Sequence, residues 1–237
     1  MTAEPLPLPQ GEEKTARVRS MFDAIAPRYD LVNRLMTFGL DQQWRRETIA
    51  ALALPDDALL LDLACGTGDL SRLARRKGYR VIGADLSRGM LAANHADVPL
   101  IQADSARLPF PEGVFDGLVC GYALRNFSDL PAALAETARV VRPGGRLAML
   151  EVDAPTSTLL RTGYDVWFTK VVPRIGAALS DREAYDYLPR SVAYLPPRPV
   201  LRRMLSDAGY SGVGIRPLAG GLSQLIFATR TGLPEPA

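Results

Sequence analysis

Between residues 59 and 152, short apolar runs alternate with helix-length amphipathic segments, and this rhythm restricts the fold more than any other feature. The apolar runs at 59–63, 81–84, 100–103, 117–120 and 147–152 have the length and continuity of strands buried on both faces. Between them, 70–77, 88–95 and 130–141 carry the spacing of helices. Strands that alternate with helices specify a mostly parallel sheet covered by helices on both faces, so the expected class is α/β. After Glu151 the rhythm stops. Residues 155–190 read as helical and aromatic, 199–208 as a helix, and 212–217 and 223–229 as two final strands. Ala219-Gly220-Gly221 joins these strands tightly, which predicts one antiparallel strand near the C-terminus.

Upstream of the sheet, residues 16 to 53 follow a helical pattern through Val18, Phe22, Ile25, Leu35, Trp44, Ile49 and Leu52, broken at Pro27 and Gly39. Residues 1–14, with Pro5, Pro7 and Pro9, read as a disordered tail. No linker divides the remainder, so 15–237 is expected to be one domain, with a helical lid at about 155–200. The chain's 28 basic and 26 acidic side chains leave a formal charge of +2, which argues against a nucleic-acid partner. Cys65 and Cys120 are too few for a disulfide framework or a metal cluster, and no metal is expected. The sequence lacks a signal peptide and any run of ~20 apolar residues, so the expected location is the cytoplasm.

The most informative segment runs from Leu60 to Asp69, a buried strand that enters a glycine-rich turn and then a helix. Gly66 and Gly68 allow close approach of a ligand to backbone, and the helix start offers free N–H groups. A dinucleotide fingerprint would place glycine or alanine where Ser71 stands, which disfavours NAD. Asp85 closes the second strand 19 residues after Gly66, where a carboxylate can accept both ribose hydroxyls of an adenosine. Asp104 ends the third strand, within reach of an adenine amino group. Each acid alone fits a capped or solvated strand end; the loop and both acids together indicate S-adenosylmethionine (SAM), with Asp62 toward the methionine amino group.

Four blocks then resemble the C-methyltransferases of ubiquinone and menaquinone biosynthesis. They are the stretch from Phe22 to Asn33, continuing through Phe38-Gly39 to Trp44; the glycine loop with Thr67 and Asp69; Leu124-Arg125-Asn126-Phe127; and the run from Arg139 to Leu147, leading into Leu150-Glu151. Pro173-Arg174-Ile175-Gly176 and the run from Tyr185 to Pro189 look like the family's helical lid. The resemblance implies a Rossmann-like class I methyltransferase sheet. It also implies methyl transfer to a ring carbon of a quinol-type acceptor such as demethylmenaquinol. The candidate cofactor-binding set is Asp62, Ala64, Gly66, Thr67, Gly68, Asp85, Leu86, Asp104, Ser105 and Gly121. Arg125, Asn126 and Tyr29 are the candidate catalytic residues: a guanidinium can steady a developing oxyanion or orient a water, and the resemblance adds the other two. The lone His95 reads as surface or structural.

The chain departs from the family pattern in four places. Asp153 and Gly121 stand where serine is usual, Pro196-Pro197-Arg198-Pro199 replaces the usual Pro-Asp-Gln/Glu stretch, and the Gly220-Gly221 turn lacks its following histidine. Two alternatives therefore stand beside the quinol reading: methyl transfer to another aromatic or polyketide-like acceptor, and SAM binding without catalysis. The expected partners are a small lipophilic or aromatic acceptor and, peripherally, a membrane.

Overall fold

The computed structural model describes residues 10–153, 187 and 190–231. Its strands are β1 (Leu59–Leu63), β2 (Arg80–Asp85), β3 (Leu100–Gln102), β4 (Phe115–Gly121), β5 (Val141–Val152), β6 (Tyr210–Leu218) and β7 (Ser223–Arg230). They form one sheet in the order β3-β2-β1-β4-β5-β7-β6. β3 through β5 pair in parallel, and β7 lies antiparallel between β5 and β6. This is the class I methyltransferase sheet. The strand order reverses between β1 and β4, which opens a crevice at their carboxyl ends.

The helices are α1 (Gly11–Ile25), α2 (Tyr29–Met36), α3 (Leu40–Leu52), α4 (Asp69–Arg76), α5 (Arg88–Ala92), α6 (Leu130–Val140) and α7 (Arg198–Asp207). Alternate strand residues serve opposite helix layers. Leu61, Leu118, Leu147 and Met149 join a core with Leu134 of α6 and Leu201 and Leu205 of α7. Leu60, Val119 and Ala148 face the other way, onto Ile49 and Leu52 of α3 and Leu70 and Ala74 of α4. Each such leucine contributes about 1.5–3 kcal/mol on burial, so the central strands must be apolar on both faces.

The structure moves several expected boundaries. The helix at 11–25 starts inside the supposed 1–14 tail: Lys14 is buried, and its ammonium donates to the Phe127 carbonyl at 2.7 Å. Residues 1–9 lie outside the described residues. α5 ends at Ala92 rather than at 95, because Asn94 turns back and donates to the Gly66 carbonyl at 2.8 Å. β5 begins at Val141, which pairs with Phe115 ahead of a register shift. Most of the expected 155–200 lid, including Tyr164, Trp167, Phe168 and Tyr185, lies outside the described residues.

Candidate cofactor and acceptor site

A cavity of about 330 Å³ opens where β1, β2 and β4 end. Two residues shape its floor by leaving strands in the left-handed conformation: Ala64 after β1 (φ 53°) and Tyr122 after β4 (φ 59°). Non-glycine residues there cost about 1–2 kcal/mol, and both line the cavity. Gly66 and Gly68 continue the turn at φ 53° and 92°. A Cβ on Gly68 would stand 2.6 Å from Asn94 Oδ1, so only glycine lets the loop pack on the Asn94 bend. Gly68 itself lies behind the cavity wall, whereas Gly66 and Thr67 face the opening.

The three expected acids occupy successive strand ends, and all line the cavity. Asp85 accepts from the Gly66 amide and the Ser87 amide, each at 2.8 Å. Burial nevertheless pushes its carboxyl above the usual range, against the backbone bonds. Asp104 is exposed and accepts from the Ala106 amide at 2.9 Å, closing a tight turn. Asp62 is buried. Its Oδ2 accepts from the Ser71 hydroxyl at 2.6 Å, while Oδ1 has no hydrogen-bond partner among the described residues. Burial pushes its carboxyl up to about 7, while the Ser71 bond and the charge of Arg45 pull it down. A buried carboxylate oxygen left without a donor is costly, and the ammonium of a methionine moiety would supply one. On that ground the residues fit SAM. Leu86, Ser105 and Gly121 also line the cavity; a Cβ on Gly121 would meet Leu70 Cδ1 at 2.9 Å.

α1 lies across the opening and is fastened at both lips. Asp23 accepts from the Ser87 hydroxyl at 2.5 Å and the Gly89 amide at 2.8 Å. At the other lip Lys14 binds the Phe127 carbonyl, and Thr15 shares a hydrogen bond with Ser128. The Thr67 hydroxyl donates to Asp30 at 2.6 Å, joining the N-terminal block to the glycine loop. Phe22 and Tyr29 pack edge to face, 6.0 Å between centroids, and both line the cavity.

Of the expected catalytic residues, Tyr29 and Asn126 line the cavity, whereas Arg125 is buried behind it. Arg125 is ion-paired with Glu151 of β5, donates to the Tyr122 carbonyl at 2.8 Å and to the Ser191 hydroxyl at 3.1 Å. Its charge still reaches Tyr29. Burial raises that phenol's pKa, and Arg45 and Arg125 oppose the shift. Tyr187 donates to Asn126 Oδ1 at 3.3 Å, bringing one residue of the expected aromatic cover to the site.

Sequence reasoning missed Arg45, Asn94, Ser87 and Asp23. A serine heading a helix is a readable cap, and Ser87 does accept from the Met90 amide at 3.0 Å; the other three act across long sequence separations. His95 lies 3.7 Å from Asp30, at the surface as expected. Asp30, Asp69 and His95 could present ligand atoms within 4.8 Å of one another. Asp69, however, is ion-paired with Arg72 and faces Arg45 and Arg34, which oppose a further cation.

Comparison with known proteins agrees with this geometry. The sequence model of the ubiE/COQ5 methyltransferase family matches residues 10–230. The demethylmenaquinone methyltransferase of Mycobacterium tuberculosis is 42% identical over 92% of this chain and 94% of its own length. That of Corynebacterium kroppenstedtii is 39% identical over 92% and 96%. Among solved structures, magnesium protoporphyrin IX methyltransferase from Synechocystis with bound SAH matches with a TM-score of 0.64 at 20% identity, covering 92% of this chain and all of that one. The SAM complex of Haemonchus contortus phosphoethanolamine N-methyltransferase 2 matches with a TM-score of 0.59 at 14% identity, over 80% and 53% of the two chains.

Proposed function

Because the chain belongs to the ubiE/COQ5 methyltransferase family, we propose that it methylates a ring carbon of demethylmenaquinol, a prenylated naphthoquinol. It is a SAM-dependent methyltransferase, and the acceptor is the finer step. The observation that carries it is the 42% identity, over 92% of the chain, to a protein named demethylmenaquinone methyltransferase. The cavity supports the reading: beside the acids of the cofactor end, Phe22, Tyr29, Asn126 and Phe127 offer apolar surface with two polar groups, which suits a hydroxylated aromatic ring.

When bound, SAM supplies an electrophilic methyl group on a sulfonium. The chain's task is to seat the acceptor carbon in line with it, keep water out, and favour loss of the acceptor's hydroxyl proton. Asp85 and Asp104 would hold the adenosine and Asp62 the amino group. Tyr29 and Asn126 would hold the acceptor oxygen. Arg125, one layer back, would act through them: its ion pair with Glu151 fixes the turn that presents Asn126, and its positive charge favours an ionised oxygen near Tyr29. α1 would exclude water from above.

We read the chain as one catalytic domain working in the cytoplasm, in peripheral contact with the membrane that carries the acceptor. No helix among the described residues is long and apolar enough to cross a membrane. Leu31 and Leu35 of α2 and Phe38 just after it expose apolar side chains at the surface, 53%, 45% and 73% accessible. The test is methyl transfer from radiolabelled SAM to reduced demethylmenaquinone. Label in the quinol ring is expected. Label only in phenolic or polyketide acceptors offered in parallel would reject the quinol reading.

A further inference from the structure

Arg45 belongs to α3, far in sequence from the glycine loop, yet it is almost fully buried and lines the cavity. Its Nε faces Asp41 Oδ2 at 3.4 Å and Asp69 Oδ2 at 3.5 Å. Its Nη atoms donate no hydrogen bond among the described residues. Nη1 lies 3.5 Å from where a Cβ of Gly121 would stand, so the planar end of the guanidinium is at the cavity floor. Asp41, itself buried, has Arg45 as its ion-pair partner, but both acids approach Nε and neither uses the Nη atoms. Asp69 is also ion-paired with Arg72, and Asp41 accepts from Thr37 and Gln42 at 2.9 Å. The acids serve the Nε side and the Tyr122 ring lies 5.6 Å from Cζ, so the Nη donors at the cavity floor are left to take an anion from outside the chain.

The strand order identifies that anion. Along the sheet edge, β3, β2 and β1 present Asp104, Asp85 and Asp62 in turn. They match an adenine, a ribose and an ammonium. Arg45 stands next in the series, at the Gly121 end of β4 and close enough for its charge to act on Asp62. In the cofactor, the group beside the ammonium is a carboxylate.

We propose that Arg45 binds the carboxylate of the cofactor's methionine moiety and forms, with Asp62, a receptor for an α-amino acid zwitterion. The pair makes the site selective for cofactors that carry an intact amino acid and rejects adenosine thioethers that lack one. The proposal rests on the cofactor reading of this cavity. It assigns Arg45 a binding contact and no part in the chemical step.

The test is titration calorimetry of the full chain with S-adenosylhomocysteine, its carboxyl methyl ester and 5′-methylthioadenosine, for the native protein, Arg45→Met and Arg45→Lys. The native protein should bind S-adenosylhomocysteine about 10- to 100-fold more tightly than the ester, the range of a charge-assisted contact. Arg45→Met should lose that preference and leave methylthioadenosine affinity unchanged; Arg45→Lys should recover part of it. Equal loss of S-adenosylhomocysteine and methylthioadenosine in Arg45→Met would mean that Arg45 only braces the loop, and would overturn the proposal. An ester that binds the native protein as tightly as the acid would overturn it without any variant. If the native protein binds none of the three, the cofactor reading itself fails, and the proposal with it.

Discussion

At the proposed cofactor end of the cavity, apart from Arg45 of α3, the lining groups sit on the ends of three neighbouring strands and the turns just beyond them. At the acceptor end they come from α1, from the first residue of α2 and from the segment after β4, where Tyr187 is hydrogen-bonded to Asn126. Backbone hydrogen bonds between strands set the spacing of the first group. Side-chain contacts across 61 to 113 residues set the spacing of the second, among them Tyr187 to Asn126 and Lys14 to Phe127. The cofactor end is therefore a property of the sheet. The acceptor end depends on a few side chains, each of which can be removed singly.

The largest test of this contrast is Glu151→Gln. It leaves the Arg125 charge buried without its counter-ion, and loss of one partner of a buried pair costs about 3–5 kcal/mol. Urea denaturation should show that loss, and calorimetry on the folded fraction should show nearly native SAM affinity. A parallel collapse of SAM binding would mean that the two ends are one unit. Asp85→Ala should do the reverse. SAM binding should weaken by about 1.5–3 kcal/mol through lost charge-assisted bonds, with little effect on quinol affinity measured separately.

A smaller effect is expected at Tyr29. Tyr29→Phe keeps the contact with Phe22 and removes one hydroxyl, so kcat should fall about tenfold, roughly 1.4 kcal/mol, while the SAM dissociation constant stays constant. A change confined to SAM affinity would move Tyr29 to the cofactor end. The smallest effect is on pH dependence. With its carboxyl at about 7 in the free protein, Asp62 is ionised above that value and able to hold an ammonium. SAM affinity should be full above pH 7 and weaken as pH falls, approaching tenfold per unit. Stability of the free protein runs the opposite way. Because the folded-state value is raised above the unfolded one, the contribution is present at low pH and is lost as pH rises through about 7. Asp62→Asn should flatten both profiles.

Two of the chain's departures from the family pattern meet in space. Asp153, where serine is usual, forms an ion pair with Arg198 of the altered proline stretch. The pair ties the end of β5 to the start of α7, and neither residue lines the cavity. Gly121, the other departure of this kind, does line the cavity, and there the absence of a side chain leaves room for Leu70, whose Cδ1 a Cβ would meet at 2.9 Å.

What the sequence determined by itself was the sheet and the places along its edge of the proposed cofactor residues. β1 has the expected bounds, 59–63, and Asp62, Gly66, Asp85 and Asp104 take the expected strand-end positions. Strand period, glycine chemistry and the placing of acids after strands are local properties, so a linear reading reaches them. Three things were decided only in the folded chain. Arg125 lies behind the cavity because Glu151, 26 residues away, captures it. Helix α1 starts at Gly11 because the Lys14 ammonium finds a carbonyl 113 residues away. Arg45 reaches the floor because α3 packs beside α4 on the same face of the sheet. Each is a charge or donor that burial forces into partnership. Which partner it meets depends on how distant segments cross, and a sequence read along its length does not encode that crossing locally.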